Sequence, residues 1–492
     1  MSSERMQNGR KKKENKIVPE VRIERLAAEG QAIGHLPDGK VVFVPYGAPG
    51  DLVDVQILRS RKSYAEGRIV RYAELSPERE TPKCPHFGVC GGCKWQHIPY
   101  ALQLATKEQS TYDQLERIGG VDIREKRPII GADTYEGGRT YGYRNKLEFT
   151  FSNNRWIPTE EMTEGVRIDD RDGLGFHIPG RFDRILDIEE CHLMPGLNDR
   201  IRLYVKEYCL THEGFGFFDL RSHEGVMRNL MIRTSESGEV MAVVVFAQDL
   251  PEQRDELLSA VRETFPEISS LMYITNAKAN DSIADREVHL FSGLPFMTEE
   301  MEGLKFKVGP KSFYQTNSAG AHALYKVARD FALGDGDASE QLLYDLYTGT
   351  GTIASFVARR VKKVIGIEYV EEAVEGAREN VLRNGIRNAE FFAGDMKDIL
   401  TEDFVNRHGK PDVIITDPPR AGMHPSVIRV ITEVARPSRI VYVSCNPASQ
   451  ARDMLELGKH YRALISQPVD MFPQTHHVEN VLLLERIPNG DK

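Results

Sequence analysis

The sequence lacks any apolar run long enough to cross a bilayer. Its longest notable one, Met241 to Ala247, falls far short of the roughly 20 residues a spanning helix needs. No apolar segment follows the polar, basic N-terminus, so no secretory signal is expected and the expected compartment is the cytosol. Cysteine is scarce, with six in 492 residues, at positions 84, 90, 93, 191, 209 and 445. In a large chain without a signal segment this argues against a disulfide framework, and the crowding of three of them favours metal binding or catalysis. A basic excess is also missing: 64 Lys plus Arg stand against 73 Asp plus Glu, a formal net charge of -9. Any nucleic-acid contact must therefore rest on local basic patches rather than a global field. There is no internal repeat, and no low-complexity tract beyond the N-terminal arm.

What is present is ordinary globular composition, 40% hydrophobic and 28% charged, enough apolar material for large cores. The length implies about two to four domains. Residues 1–16 (MSSERMQNGRKKKENK) have a cationic surplus and no apolar periodicity, and read as a disordered basic arm. From Ile17 onward, short alternating runs (Val21 to Ile23, Val41 to Val44, Leu52 to Ile57) are punctuated by Gly and Pro, which predicts a small β-barrel. Arg59, Arg61, Lys62, Tyr64 and Arg68 form a basic cluster near its end. A helix is predicted from Tyr100 to Ile118, and residues 136–310 read as β-rich. After residue 312, strand-like runs at 342–347, 363–367, 412–416 and 440–444 alternate with helical stretches, the layout of a doubly wound parallel sheet.

The α/β part carries a nucleotide-type turn. The strand Leu342 to Tyr347 runs into Thr348-Gly349-Thr350-Gly351-Thr352 and then a helix. Glycines here let the backbone approach a ligand with no Cβ in the way. The next strand ends at Glu368, about 20 positions on, where an acid can accept hydrogen bonds from ribose hydroxyls. Ala354 fills the third glycine position in a way the dinucleotide pattern tolerates, so spacing alone leaves NAD open. Asp395, after another strand-like run, can hold an adenine edge or simply cap a helix. Asp417-Pro418-Pro419-Arg420 then follows the strand Val413 to Thr416. Two prolines cannot extend a sheet, so they make a stiff loop at its ligand-binding edge. Such a loop can hold a flat base against a methyl donor, which argues for methyl transfer over NAD.

Cys445 follows the strand Ile440 to Val443 and so falls on the same sheet edge as Glu368 and Asp417. A cysteine there can act as a nucleophile once its thiol is deprotonated. The late segment Asp470 to Asn480 offers His476, His477 and Glu479 as general bases, and sequence reasoning does not choose among them. Cys84, Cys90 and Cys93, a C-x5-C-x2-C pattern, suit zinc or an iron–sulfur cluster. Cys191 and Cys209 are candidates for a fourth ligand, with His86 and His97 as nearby nitrogen donors.

Three runs, Asp417 to Gly422, Tyr442 to Pro447 and Phe472 to Glu479, resemble the bacterial RNA uracil-5-methyltransferases. The resemblance covers nearly the whole chain after the basic arm. Residues 17–73 look like the family's TRAM barrel. Tyr143 to Lys146 is similar to a motif opening its central RNA-binding domain, and Phe313 to Asn317 to the segment whose Gln meets the cofactor. The resemblance implies Cys445 as nucleophile, adding to carbon 6 of the uracil so that carbon 5 can accept a methyl group, and Glu479 as the base that removes the carbon 5 proton. It implies Gln315, Tyr347, Gly349, Thr352, Glu368, Asp395 and Asp417 as residues lining the S-adenosylmethionine and uracil pocket. Thr348, Ala421 and Ser449 depart from the family's usual Cys, Gly and Thr, and none of these removes a reacting group. The family branch acting on large ribosomal RNA carries a [4Fe–4S] cluster, which implies Cys84, Cys90, Cys93 and Cys191 as its ligands, with zinc as the alternative.

The expected protein is therefore a multidomain α/β enzyme. It has a basic arm (1–16), a TRAM-like, OB-like β-barrel (17–75), a central β-rich RNA-binding domain containing the cysteine segment (76–310) and a Rossmann-like methyltransferase domain (311–492). Its expected partner is RNA, 23S ribosomal RNA above transfer RNA, with no membrane and no protein partner. A non-catalytic RNA-binding or ribosome-assembly factor on the same fold is the reading from another class.

Overall fold

The computed structural model describes residues 16–158, 161–162 and 168–488. The expected basic arm thus lies outside the described residues apart from Lys16. Five strands, β1 (Ile17–Leu26), β2 (Gln31–His35), β3 (Val41–Pro45), β4 (Leu52–Ser60) and β5 (Tyr64–Glu74), close into a barrel in the order β1-β2-β3-β5-β4. Inward positions alternate with outward ones, as in β3, so Val42, Val44, Val53 and Val55 form its core. Trp95 and Ile98, well beyond the last strand, complete that core and tie the barrel to the rest of the chain.

Helix α1 (Tyr100–Gly119) and strand β6 (Ile123–Lys126) come next. The central sheet contains β7 (Lys146–Ser152), β8 (Gly173–Ile178), β9 (Arg181–Asp187), β10 (Met227–Thr234), β11 (Val240–Phe246), β12 (Ile268–Thr275) and β13 (His289–Gly293), in the order β13-β12-β11-β10-β7-β8-β9. Helices α2 (Leu197–Thr211) and α3 (Pro251–Thr264) cover one face. β11 is buried throughout, Val240, Ala242, Val244 and Phe246 facing one core and Met241, Val243 and Val245 another. Burial on both faces is why the longest apolar run of the chain sits here.

A hairpin, β14 (Met297–Met301) and β15 (Leu304–Val308), leads to α4 (Ser318–Leu333) and the doubly wound sheet. That sheet has β16 (Leu342–Leu346), β17 (Lys363–Glu368), β18 (Ala389–Ala393), β19 (Val413–Thr416), β20 (Arg439–Ser444), β21 (Tyr461–Val469) and β22 (Glu479–Arg486). Its helices are α5 (Thr352–Ala358), α6 (Glu371–Arg383), α7 (Met396–Ile399), α8 (Glu402–His408), α9 (Pro425–Arg429) and α10 (Pro447–Leu457). The order is β18-β17-β16-β19-β20-β22-β21-β6, with β16 to β20 parallel and β22 antiparallel to both its neighbours.

Two expected boundaries change. β6 pairs with β21 as the edge of the catalytic sheet, and α1 packs on α10. The fit is close: a Cβ on Gly119 would stand 2.7 Å from the main-chain oxygen of Ala451. Met301, Leu304, Phe306 and Val308 of the hairpin also join the catalytic core. Residues 100–126, expected in the central domain, thus belong with the catalytic sheet, whereas the 297–308 hairpin bridges the two, with Met297 packed in the core of the central sheet. Short β-rich segments carry no local sign of which sheet they will join. Among the described residues no helix is long and apolar enough to cross a membrane.

Candidate active site

The carboxyl ends of β16, β17, β19 and β20 meet at one edge, where open α/β sheets bind ligands. All the residues expected for catalysis and cofactor binding (Cys445, Glu479, Gln315, Tyr347, Gly349, Thr352, Glu368, Asp395 and Asp417) line a single cavity of about 1510 Å³. That exceeds the roughly 300–1,000 Å³ of ordinary small-molecule sites and leaves space for more than one ligand.

On the cofactor side the chain turns sharply after β16. Tyr347 itself adopts φ 64°, and Gly349 and Gly351 adopt 57° and 72°. A tyrosine in the left-handed region is strained and persists only where its surroundings hold it. Here its N–H and that of Thr348 both donate to the Ile367 oxygen, at 2.9 and 3.1 Å. The Glu368 carboxylate accepts from the N–H groups of Gly349 and Val370, each at 3.0 Å, which fixes it at the cavity wall with lone pairs left for a ligand hydroxyl. Asp395 lines the cavity and also caps α7, accepting from the Lys397 N–H at 3.2 Å.

Gln315 is held by the central sheet. Asn145 donates through its side-chain amide to the Gln315 main-chain oxygen, and its N–H donates to the Thr316 oxygen, both at 2.9 Å. Lys146, beside it, lines the same cavity. The motif at the start of the central sheet is thus part of the site.

The two residues expected to react, Cys445 and Glu479, stand side by side. β20 and β22 pair with Ser444 opposite Asn480, so Cys445 and Glu479 occupy the adjoining position at the cavity's edge. Burial, then the Glu479 and Asp417 carboxylates, push the Cys445 thiol up to about 11, while the nearby Arg420 guanidinium works the other way. Cys445 also directly precedes Asn446, the cap of α10, and a helix N-terminus favours a thiolate. Burial and the neighbouring Asp417 hold the Glu479 carboxyl well above the ordinary carboxylate range, with Arg420 opposing them. Asp417 is pushed up to about 7 by burial and by Asp345. Of the three bases the sequence left open, Glu479 lines the cavity, and His476 and His477 are not among its lining residues. Burial and nearby cations push both histidines down to about 4.

Sequence reasoning gave no role to Asp345, Tyr325 or Phe472. Asp345 is enclosed at the end of β16, where its carboxylate accepts the Thr348 hydroxyl and fixes the glycine turn. A charged residue inside the apolar run Leu342 to Leu346 was the available signal. Tyr325 and Phe472 line the cavity from α4 and from the turn before β22, and nothing local marks them.

The cysteine segment sorts its candidates. Cys90 helps raise the Cys84 thiol, Cys90 and Cys84 that of Cys93, and Cys93 and Cys90 that of Cys191. Burial comes first in holding Cys93 and Cys191, each at about 12. Cys209 lies instead in the core under α2. His86 accepts the Glu189 N–H through Nε2 at 2.9 Å, and His97 is buried with Nε2 3.3 Å from the Gly47 oxygen. As they stand, however, no group of three or more His, Cys, Asp or Glu among the described residues is arranged to hold a metal ion. Neither the expected [4Fe–4S] cluster nor the zinc alternative is therefore shown.

Residues 232–487 match the tRNA (Uracil-5-)-methyltransferase family, and residues 12–70 match the TRAM domain. A Porphyromonas gingivalis protein named as an uncharacterised RNA methyltransferase is 57% identical over 470 residues, covering 94% of this chain and 99% of its own. A Bacteroides thetaiotaomicron protein of the same name is 54% identical over 463 residues, covering 94% and 100%. Among solved structures, the Pyrococcus abyssi tRNA (uracil-54, C5)-methyltransferase in complex with S-adenosyl-L-homocysteine superposes with a TM-score of 0.70 at 27% identity, covering 94% of this chain and 100% of that one.

Proposed function

Since the chain belongs to the RNA uracil-5-methyltransferase family with a TRAM domain, we propose that it methylates carbon 5 of a uridine in 23S ribosomal RNA through a covalent bond between Cys445 and the uracil. It is an S-adenosylmethionine-dependent RNA uracil-5-methyltransferase, and what is proposed is its substrate, its covalent step and its residue roles. The observation that carries the covalent reading is the placement of Cys445 beside Glu479 at the edge of one cavity.

S-adenosylmethionine, when bound, supplies an electrophilic methyl group. The residues proposed to hold it fit a nucleoside: Glu368 for ribose hydroxyls, the left-handed turn at Tyr347 and Gly349, then Thr352, Asp395 and Gln315 around the same cavity. The target base is flipped out of its stack so that both ring faces are reachable. Cys445, deprotonated with help from Arg420 and the start of α10, adds through sulfur to carbon 6. The carbon 5–carbon 6 π pair moves onto carbon 5 and its conjugated carbonyl, making carbon 5 nucleophilic. The electron pair on carbon 5 forms a bond to the methyl carbon as the methyl–sulfonium bond breaks, and S-adenosylhomocysteine is the leaving group. Glu479 then accepts the carbon 5 proton, the double bond re-forms, and the carbon–sulfur bond breaks to return the thiolate. A carboxylate whose proton affinity is raised by burial is the better matched to that task near neutral pH. Asp417, on the stiff Asp-Pro-Pro loop, faces the same space and is proposed to hold the uracil.

The cysteine segment supports a further proposal, a [4Fe–4S] cluster on Cys84, Cys90, Cys93 and Cys191. The nearness of thiols from two distant segments favours it, Cys93 and Cys90 both raising the Cys191 thiol. Methyl transfer moves no net electron, so the cluster would order the segment or position RNA.

The choice of 23S ribosomal RNA rests on resemblance of the cysteine segment to that branch. Transfer RNA is the second reading, favoured by the near full-length match to a tRNA enzyme. The test is nucleoside mass spectrometry of unmodified 23S and transfer RNA transcripts after incubation with the protein and S-adenosylmethionine. New 5-methyluridine only in 23S supports the first substrate, and only in transfer RNA the second. None in either, from folded protein, overturns both.

A further inference from the structure

The turn between β21 and β22, residues 470–478, brings Phe472 to the cavity and ends at Glu479. Its main chain is held from outside by several elements. Tyr135 donates its hydroxyl to the Asp470 oxygen at 3.1 Å, Asn317 its amide to the Met471 oxygen at 2.7 Å, and Tyr143 its hydroxyl to the Pro473 oxygen at 3.0 Å. The N–H groups of Lys94 and Trp95, directly after the cysteine segment, donate to the Gln474 oxygen at 2.8 and 3.1 Å.

Helix α1 holds the turn with a charge. The Lys107 ammonium lies 2.7 Å from Asp470 Oδ1 and donates to the Phe472 oxygen at 3.1 Å. Neither side chain of the pair has any exposed surface. The Asp470 carboxylate also accepts the Tyr100 hydroxyl at 2.8 Å and the Phe472 N–H at 3.0 Å. One turn along, Gln103 accepts the Gln474 N–H at 2.9 Å. Burying an ammonium and a carboxylate carries a desolvation penalty that an apolar pair of similar size avoids. The α1–α10 packing does not require it, since α1 already buries Tyr112 and Leu115 in the catalytic core. What a lysine adds over a methionine here is direction: it binds a side chain and a main-chain oxygen of the same turn at once.

We propose that Lys107 is a positioning residue for the methylation: through Asp470 and Phe472 it fixes the 470–478 turn so that Glu479 meets carbon 5 of the methylated, Cys445-bound uracil. This rests on the covalent mechanism proposed above. The two halves of that reaction depend on different supports. Cys445 stands at the end of β20, in the middle of the sheet, and its attack does not need the turn. Proton removal needs the Glu479 carboxylate within hydrogen-bonding reach of the carbon it deprotonates, where a displacement of about 1 Å slows a step by up to about 10²-fold. Loosening the turn therefore leaves carbon–sulfur bond formation and methyl transfer intact and delays loss of the carbon 5 proton. The methylated RNA stays attached to Cys445.

Lys107→Met alone strands a buried carboxylate, so the decisive variant is Lys107→Met/Asp470→Asn, which removes both charges at nearly constant volume. It is compared with the wild type and with Glu479→Gln, using uridine-containing RNA and S-adenosylmethionine. The readouts are the covalent protein–RNA fraction on denaturing gels, its mass, and S-adenosylmethionine affinity. The expected result is a methylated adduct that accumulates at least about tenfold over wild type, turnover reduced in proportion, and cofactor affinity unchanged. A double variant whose adduct fraction stays at the wild-type level overturns the role of Lys107, whether its activity is full or merely reduced along with stability, provided Glu479→Gln accumulates adduct. If Glu479→Gln accumulates none, the covalent reading falls and this inference falls with it.

Discussion

Asn145 spans the boundary between two sheets to hold Gln315, its side-chain amide 2.9 Å from the Gln315 main-chain oxygen and 2.9 Å from the Ser318 hydroxyl. It directly precedes the central sheet's β7, yet what it orders is the cavity wall at Gln315. Asn145→Ala removes both bonds from a buried position and leaves their acceptors unpaired, a loss of about 1–3 kcal/mol. The expected outcome is S-adenosylmethionine binding weakened by about 5- to 100-fold in calorimetric titration. Unchanged affinity would show that the Gln315 segment keeps its place without Asn145.

Cys445→Ala is expected to abolish both 5-methyluridine formation and any covalent RNA adduct while RNA binding persists, since the side chain is one small group on the cavity wall. Gel-shift and nucleoside measurements on the same preparation check both halves. Residual methylation would contradict the covalent mechanism.

Only the thiolate of Cys445 reacts with an alkylating agent. With its thiol held at about 11, the neutral form dominates at pH 7. Its alkylation rate should therefore climb about tenfold per pH unit from pH 7 towards 10. Arg420→Gln removes the cation at the sulfur, which raises the thiol further and slows alkylation at any fixed pH in that range. Peptide-resolved mass spectrometry follows Cys445 separately from the other cysteines. A pH-independent rate, or faster labelling in Arg420→Gln, would refute this electrostatic account.

Anaerobic reconstitution with iron and sulfide separates the cysteines. Cys191→Ala is expected to lose the cluster's visible absorbance and about one cluster's worth of iron, whereas Cys209→Ala, altered within the apolar core under α2, retains both. Equal retention by the two variants would remove Cys191 from the ligand set.

The catalytic sheet was readable because its signals are local. Strand, glycine turn, helix, strand and Glu368 follow one another within a short stretch. Cys445 and Asp417 were legible for the same reason, each immediately following an apolar strand. Glu479 was not separable from His476 and His477 by residue type, because all can take a proton. Their difference is one of direction, which tertiary structure supplies by pairing β22 with β20 and β21. Cys191 and Cys209 pose the same problem. Equivalent as thiols in sequence, they part because one lies beside the Cys84–Cys93 segment and the other faces the core of α2.

The sequence by itself determined the periodicities, the turns with their left-handed glycines, and an inventory of reacting groups placed at strand ends, because each depends on neighbours a few residues apart. Tertiary structure decided what depends on partners hundreds of positions away. It put β6 and α1 into the catalytic sheet, set Asn145 against Gln315, and closed Lys107 onto Asp470 with no surface of either side chain exposed. Hydrogen bonds and buried charges act over a few ångströms of space and are indifferent to separation along the chain. A lysine on a helix whose buried face becomes known only when its partner strand is in place therefore carries no sign in the sequence of what it holds.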